Sequence, residues 1–139
     1  MLTGTNSAMP LLDKAQHNEQ AANLLLENRF YDWVITTAFY SAVCYVDAAI
    51  FPLVDSGGGT YQDMDSYARA KNATKHTIRR DLVRKHLPVI KSQFQRLFDQ
   101  SQTARYHSYQ ATEFHAGQAL LNLQMVKNAC LSRIRERAA

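Results

Sequence analysis

Between Trp33 and Phe51 the chain is apolar almost without interruption, and no other segment limits its fold so sharply. Only Thr36, Thr37, Ser41, Tyr45 and Asp47 break the run. A helix that is apolar on every side needs cover on every side, from lipid or from other helices. Lipid is the poorer cover, since a spanning helix would hold Asp47 in hydrocarbon at a cost of about 2–3 kcal/mol. The expectation is a central bundle helix, from near Asp32 to just before Pro52, and no membrane.

The rest of the chain supplies what such a helix needs. It has 139 residues, 46% of them hydrophobic, enough for one domain with a real core. There are 3 prolines and 5 glycines, and Gly57, Gly58 and Gly59 stand together, so long helices are favoured. A first helix is expected from Pro10, which suits a first turn, to about Arg29, with Leu11, Ala15, Ala22 and Leu25 on one face. A third block spans Tyr67 to Asp99 with a bend before Pro88. A fourth runs from Thr112, an N-cap, to Glu136, along a stripe of Leu120, Leu123, Cys130 and Ile134. Its basic end, Arg133, Arg135 and Arg137, suits a helix C-terminus and needs no partner. No alternation of apolar and polar residues suggests a strand. The reading is an all-α, up-and-down bundle of four to five helices in one domain, 1–139, with a flexible 1–9 and a mobile loop at 54–66. Cys44 and Cys130 lie inside apolar helical segments and read as reduced core residues of a cytoplasmic protein, and no signal peptide is visible.

Charge is distributed very unevenly. From Arg69 to Arg96 there are nine bases and one acid, Asp81, which gives that stretch +8 in a chain of net +4. Ile78, Leu82 and Val83, then Ile90, Phe94, Leu97 and Phe98, recur through it at helical spacing. The charge therefore sits on a folded helix, either as a solvated face or as a surface for phosphate. Lys75, Arg79, Arg80, Arg84 and His86 are the candidate nucleic-acid-binding residues.

Motifs for other chemistry are missing. No phosphate-cradling glycine pattern occurs with the strand and helix it needs, and neither H-E-x-x-H nor C-x-x-C is present. Glu113 and His115 are two apart and diverge on a helix, so no metal site and no cofactor are expected. Histidines and arginines remain. His76, Arg79, Arg80 and His86 share the basic helix, while Arg105, Tyr106, His107 and Tyr109 crowd the junction before the last helix. Imidazole and guanidinium without metal suit RNA cleavage by 2′-OH attack, the first moving protons and the second stabilising phosphorane-like charge.

Two segments carry a family resemblance. AANLLLENRFYDWVITTAFYSAVCYVDAAI resembles the helix, tyrosine turn and aromatic- and alanine-rich helix of HEPN domains. KHTIRRDLVRKHLPVIKSQFQRLFDQSQTARYHSY, followed by a terminal helix, is similar to the second half of that family. The resemblance implies an up-and-down bundle that forms a homodimer, with paired junctions making a cleft, and often a nucleotidyltransferase partner. It also implies a catalytic pattern of arginine, four to six residues and histidine, with a tyrosine two places on. His107 and Tyr109 match the histidine and tyrosine, and Tyr109 is where modification by a nucleotidyltransferase would fall. The arginine position holds Gln102, which supplies no permanent charge. Arg105 is the nearby substitute, and Arg80 with His86 meets the spacing on another helix.

Three functions compete on these grounds. The favoured one is a degenerate HEPN homodimer binding RNA or a nucleotide-bearing partner through the basic helix. The second is a metal-independent endoribonuclease, a toxin–antitoxin or defence effector, using His107 with Arg105 or Arg80. The third is a protein-interaction module without nucleic acid, whose Trp33, Tyr40 and Tyr45 build a dimer core.

Overall fold

A computed structural model describes residues 3–106 and 108–139, with side chains from residue 8 onward. Helix α2, Tyr31–Ile50, is the axis of the molecule. It is long and apolar enough to cross a membrane, yet 78% of that window is buried inside the protein. Helix α1, Thr3–Glu27, packs along one side of it, and α6, Glu113–Ala138, along another. Helix α5, Lys91–Ala104, closes the bundle. Phe39, Tyr45, Phe94, Leu97, Leu123 and Val126 fill the interior. The all-α bundle is therefore as read, and Cys44 and Cys130 are unpaired and buried in it. Burial pushes both thiols up, Cys130 to about 12, so neither forms a thiolate readily.

Polar side chains pin α2 to its neighbours. Ser41 Oγ donates to the Ala15 carbonyl of α1 at 2.8 Å. Tyr45 donates to Glu19 at 2.8 Å, and Lys127 of α6 reaches the same carboxylate at 3.2 Å. Arg133 donates to the Ala49 carbonyl at 3.0 Å, and Arg137 to those of Ala49, Ile50 and Pro52. The basic end of α6 thus does have a partner, contrary to expectation: it satisfies the last, otherwise orphaned carbonyls of α2.

Several boundaries also differ from the sequence reading. Helix α1 begins at Thr3 with Pro10 inside it, and the turn before the proline is held by Ala8, which is 4% exposed. It ends at Glu27, and Arg29 just beyond it takes φ +63°, which permits Arg29 N–H to reach Leu26 and Phe30 N–H to reach Leu25. The segment 54–66, expected as a loop, carries a short hairpin and the start of the next helix. Leu53–Val54 (β1) and Thr60–Tyr61 (β2) form a small antiparallel hairpin, in register Leu53 to Tyr61. Asp55 organises its turn by accepting from the Gly57 and Gly59 N–H groups at 3.1 and 2.9 Å, while Gly58 takes φ +84°. So short a hairpin leaves no alternation for a sequence pattern to show.

The third block is three pieces. Helix α3, Met64–Lys71, starts on an Asp63 cap and stops at Asn72, which takes φ +50°. Helix α4, Lys75–His86, starts on a Thr74 cap. A 3-10 turn, Pro88–Ile90, provides the bend expected at Pro88 and leads into α5. At the far side Thr112 caps α6 as anticipated.

Candidate nucleic-acid interface

Helix α4 carries the basic sequence, and its own periodicity divides the charges between inside and outside. Ile78, Leu82 and Val83 face the core, and Arg79 goes in with them at 5% exposure. Its guanidinium grips Asp47 of α2 with two bonds, Nε to Oδ1 at 2.8 Å and Nη2 to Oδ2 at 2.9 Å. Burial pushes the Asp47 pKa up and Arg79 opposes it. Both carboxylate oxygens accept, which is the geometry of an ionised pair. Arg79 is therefore committed to the core and is withdrawn from the surface where the sequence reading placed it.

The other candidates lie outside. Lys75 is exposed at the start of α4 and pairs with Asp65; Arg84 is exposed and 3.2 Å from Asp81. Exposed pairs of this kind are worth only about 0–1 kcal/mol, so a phosphate displaces the acid at little cost. Lys85, Lys91 and Arg96 are also exposed, the latter two on α5. His86 is half-buried at the end of α4, 3.5 Å from Arg133. Burial, then Arg133, Lys85 and Arg137, lower its pKa below 6.5.

At the opposite end of α4 the fold gathers groups that are distant in sequence. The His76 ring lies 5.2 Å from Phe98 and 6.0 Å from Phe39. The Arg80 guanidinium stacks over the other side of this aromatic pair, 5.0 Å from the Phe98 ring. Arg105, just past α5, is held by its Nε bond to the Ser101 carbonyl at 3.2 Å and lies 6.0 Å from the exposed Tyr40 ring. The His76 pKa is lowered by burial first, then by Arg79, Arg105 and Arg80. The shift favours the neutral imidazole, and of the three guanidinium groups near it Arg79 is paired with Asp47 while Arg80 and Arg105 have no ion-pair partner among the described residues. Such a set suits an anion, beside an imidazole able to accept a proton.

Sequence spacing had suggested that His76 and Arg80 share a face, but nothing in the sequence brings Arg105 to them from another helix. His107 lies outside the described residues. Tyr109 is half-buried against the core, its ring 5.8 Å from His115. His115 is occupied by the cap of α6, its Nδ1 accepting from Thr112 N–H at 3.2 Å while Thr112 Oγ1 accepts from His115 N–H at 3.3 Å. Tyr31 of α2 reaches across to Glu113 at 3.3 Å, so the α1–α2 turn and the junction meet at one end of the bundle.

The HEPN domain family model matches residues 8–134. No curated protein matches the chain. With nearly the whole bundle inside that match, the chain belongs to the HEPN domain family, whose helical domains are generally nucleotide-binding or ribonuclease-like.

Proposed function

We propose that this domain is a homodimer that binds RNA, or a nucleotide-bearing partner such as a nucleotidyltransferase, through α4 and the α5–α6 junction. The observation that carries this reading is the cationic surface of exposed Lys75, Arg84, Lys91 and Arg96 with half-buried Arg80, opposed by Asp81 within Arg69–Arg96 and by Asp65 at Lys75. Phosphates release counterions from such a surface, which gives an affinity independent of sequence and steeply dependent on salt. Gln102 at the family's arginine position supports degenerate catalysis. The exposed Phe114, Leu121 and Met125 on one face of α6 support dimerisation. Two buried, unpaired cysteines are in keeping with a reducing cytoplasm.

The test is binding of short single-stranded RNA across a salt series. Affinity is expected to fall by about 0.7 log units per log unit of salt for each phosphate contact. Lys75→Gln with Arg84→Gln should lower the slope without changing the fold; a slope near zero in the unaltered protein would sink the reading. A second reading, the metal-independent ribonuclease, is favoured by the neutral His76 beside Arg80 and Arg105. With metal chelated, it requires cleavage that is lost in Arg105→Ala and in His107→Ala or His76→Ala.

A further inference from the structure

Between α4 and the first turns of α5 lies an open cavity of about 420 Å³. It shares Arg80 with the His76 cluster, and the four charged side chains that line it, Arg80, Arg84, Lys91 and Arg96, are all basic. Ser92 and Gln95 add neutral donors, and Val83 and Phe94 form the floor. Phe94 is only 2% exposed, so the floor offers no ring for a base to stack on. Arg80 is the informative member. Its guanidinium carbon lies 5.0 Å from the centre of the Phe98 ring, and its Nε is buried with no hydrogen-bond partner among the described residues. A buried charged donor left unpaired is costly unless an acceptor arrives. The neighbouring hollow around Asn72 is different, because its Lys75 and Asp65 neutralise one another.

We infer that this cavity is a receptor for the terminal phosphate of a nucleotide, either free or at the end of an RNA strand. A terminal phosphate carries about −1.5 to −2 charge at pH 7 and three strong acceptor oxygens, against −1 for an internal diester. The guanidinium groups of Arg80, Arg84 and Arg96 match that acceptor set, and Lys91 adds a point charge. The volume falls in the range of small-molecule sites and accommodates a phosphate with its ribose. The phosphate, not the base, is what the lining recognises. This rests on the nucleotide-binding reading above and gives it one specific contact.

The experiment measures anisotropy of one short RNA bearing a 5′-phosphate, a 3′-phosphate or hydroxyls at both ends, with adenosine monophosphate as a free-nucleotide probe. The variants are Lys91→Gln with Arg96→Gln, both exposed and tolerant of change, and Arg80→Gln, checked for folding by circular dichroism. A phosphorylated end is expected to bind about tenfold tighter than the hydroxyl form. The double variant should erase that preference, so that phosphorylated and hydroxyl RNAs bind alike, and should weaken both, since Lys91 and Arg96 also add charge to the RNA-binding surface. Equal affinity for all three RNAs overturns the receptor while leaving RNA binding intact. Adenosine monophosphate bound without any RNA, and lost in the double variant, upholds the receptor with a free nucleotide as its ligand and removes the RNA reading. Binding of no probe overturns both.

Discussion

Asp47 and Arg79 are the costliest residues in the molecule to separate. Each is nearly inaccessible, and each is satisfied almost wholly by the other through two bonds of 2.8 and 2.9 Å. Taking one charge away leaves its partner buried and uncompensated, which costs about 3–5 kcal/mol. Asp47→Asn should therefore lower the unfolding free energy by about that amount in a urea titration. Replacing both residues by apolar ones of similar size should cost much less, because no charge is stranded. If Asp47→Asn proved as mild as an ordinary surface change, the pair would not be the clamp between α2 and α4 described above. The sequence hinted at half of this. Asp47 stands out as the single charge in the apolar run from Trp33 to Phe51, but its partner is hidden among nine bases, since a guanidinium that turns inward looks in sequence like one that turns out.

Helix α4 is basic outside, apolar and ionic inside, and has a histidine near each end. Both His76 and His86 have pKa values below the ordinary 6.5, from burial and from neighbouring cations: Arg79, Arg80 and Arg105 at one end, Lys85, Arg133 and Arg137 at the other. The unfolded chain takes up these protons first as the pH falls. The stability they reflect is thus complete above about pH 6.5 and is lost as the pH drops through the folded-state values. Amide exchange in α4 should accelerate relative to α2 between neutral pH and pH 5, after correction for intrinsic rates, and His76→Gln with His86→Gln should flatten that trend. Exchange in α4 that kept pace with α2 throughout would contradict it. The element itself was legible from Ile78, Leu82 and Val83, and so was its bend at Pro88. Its separation from α3 was not, because the break depends on Asn72 adopting φ +50° and Thr74 capping the next helix, and neither residue type compels such a role. The α6 boundary was read correctly because Thr112 heads a periodic apolar stripe. The cluster of His76, Arg80 and Arg105 was only partly legible: helical spacing relates positions on one helix, whereas packing on Phe39 and Phe98 decides which helices meet.

At the scale of the whole molecule, α6 leaves a line of apolar side chains uncovered. Phe114, Leu121 and Met125 are 68%, 69% and 48% exposed along a single face of α6, spaced by seven and four residues. Gln93 of α5 approaches Met125 Sδ at 3.8 Å and borders this face. Large side chains aligned this way lose hydration on contact with a matching surface, at about 25 cal/mol for each Å² of apolar area buried. The proposed homodimer gives the face its use. A two-fold axis would set it against itself and bring two cationic surfaces into one assembly. That arrangement would double the phosphate contacts available to one RNA, and the salt slope would steepen accordingly. Leu121→Glu with Met125→Glu places like charges across such an axis without touching the core, so it should convert a sedimenting dimer to a monomer with unchanged helicity. The monomer should keep a terminal-phosphate preference, since the α4–α5 cavity is complete within one chain, but should show a shallower salt slope. A wild-type monomer at tens of micromolar, or a dimer indifferent to the two glutamates, would move the partner of this face elsewhere and leave each bundle to bind on its own.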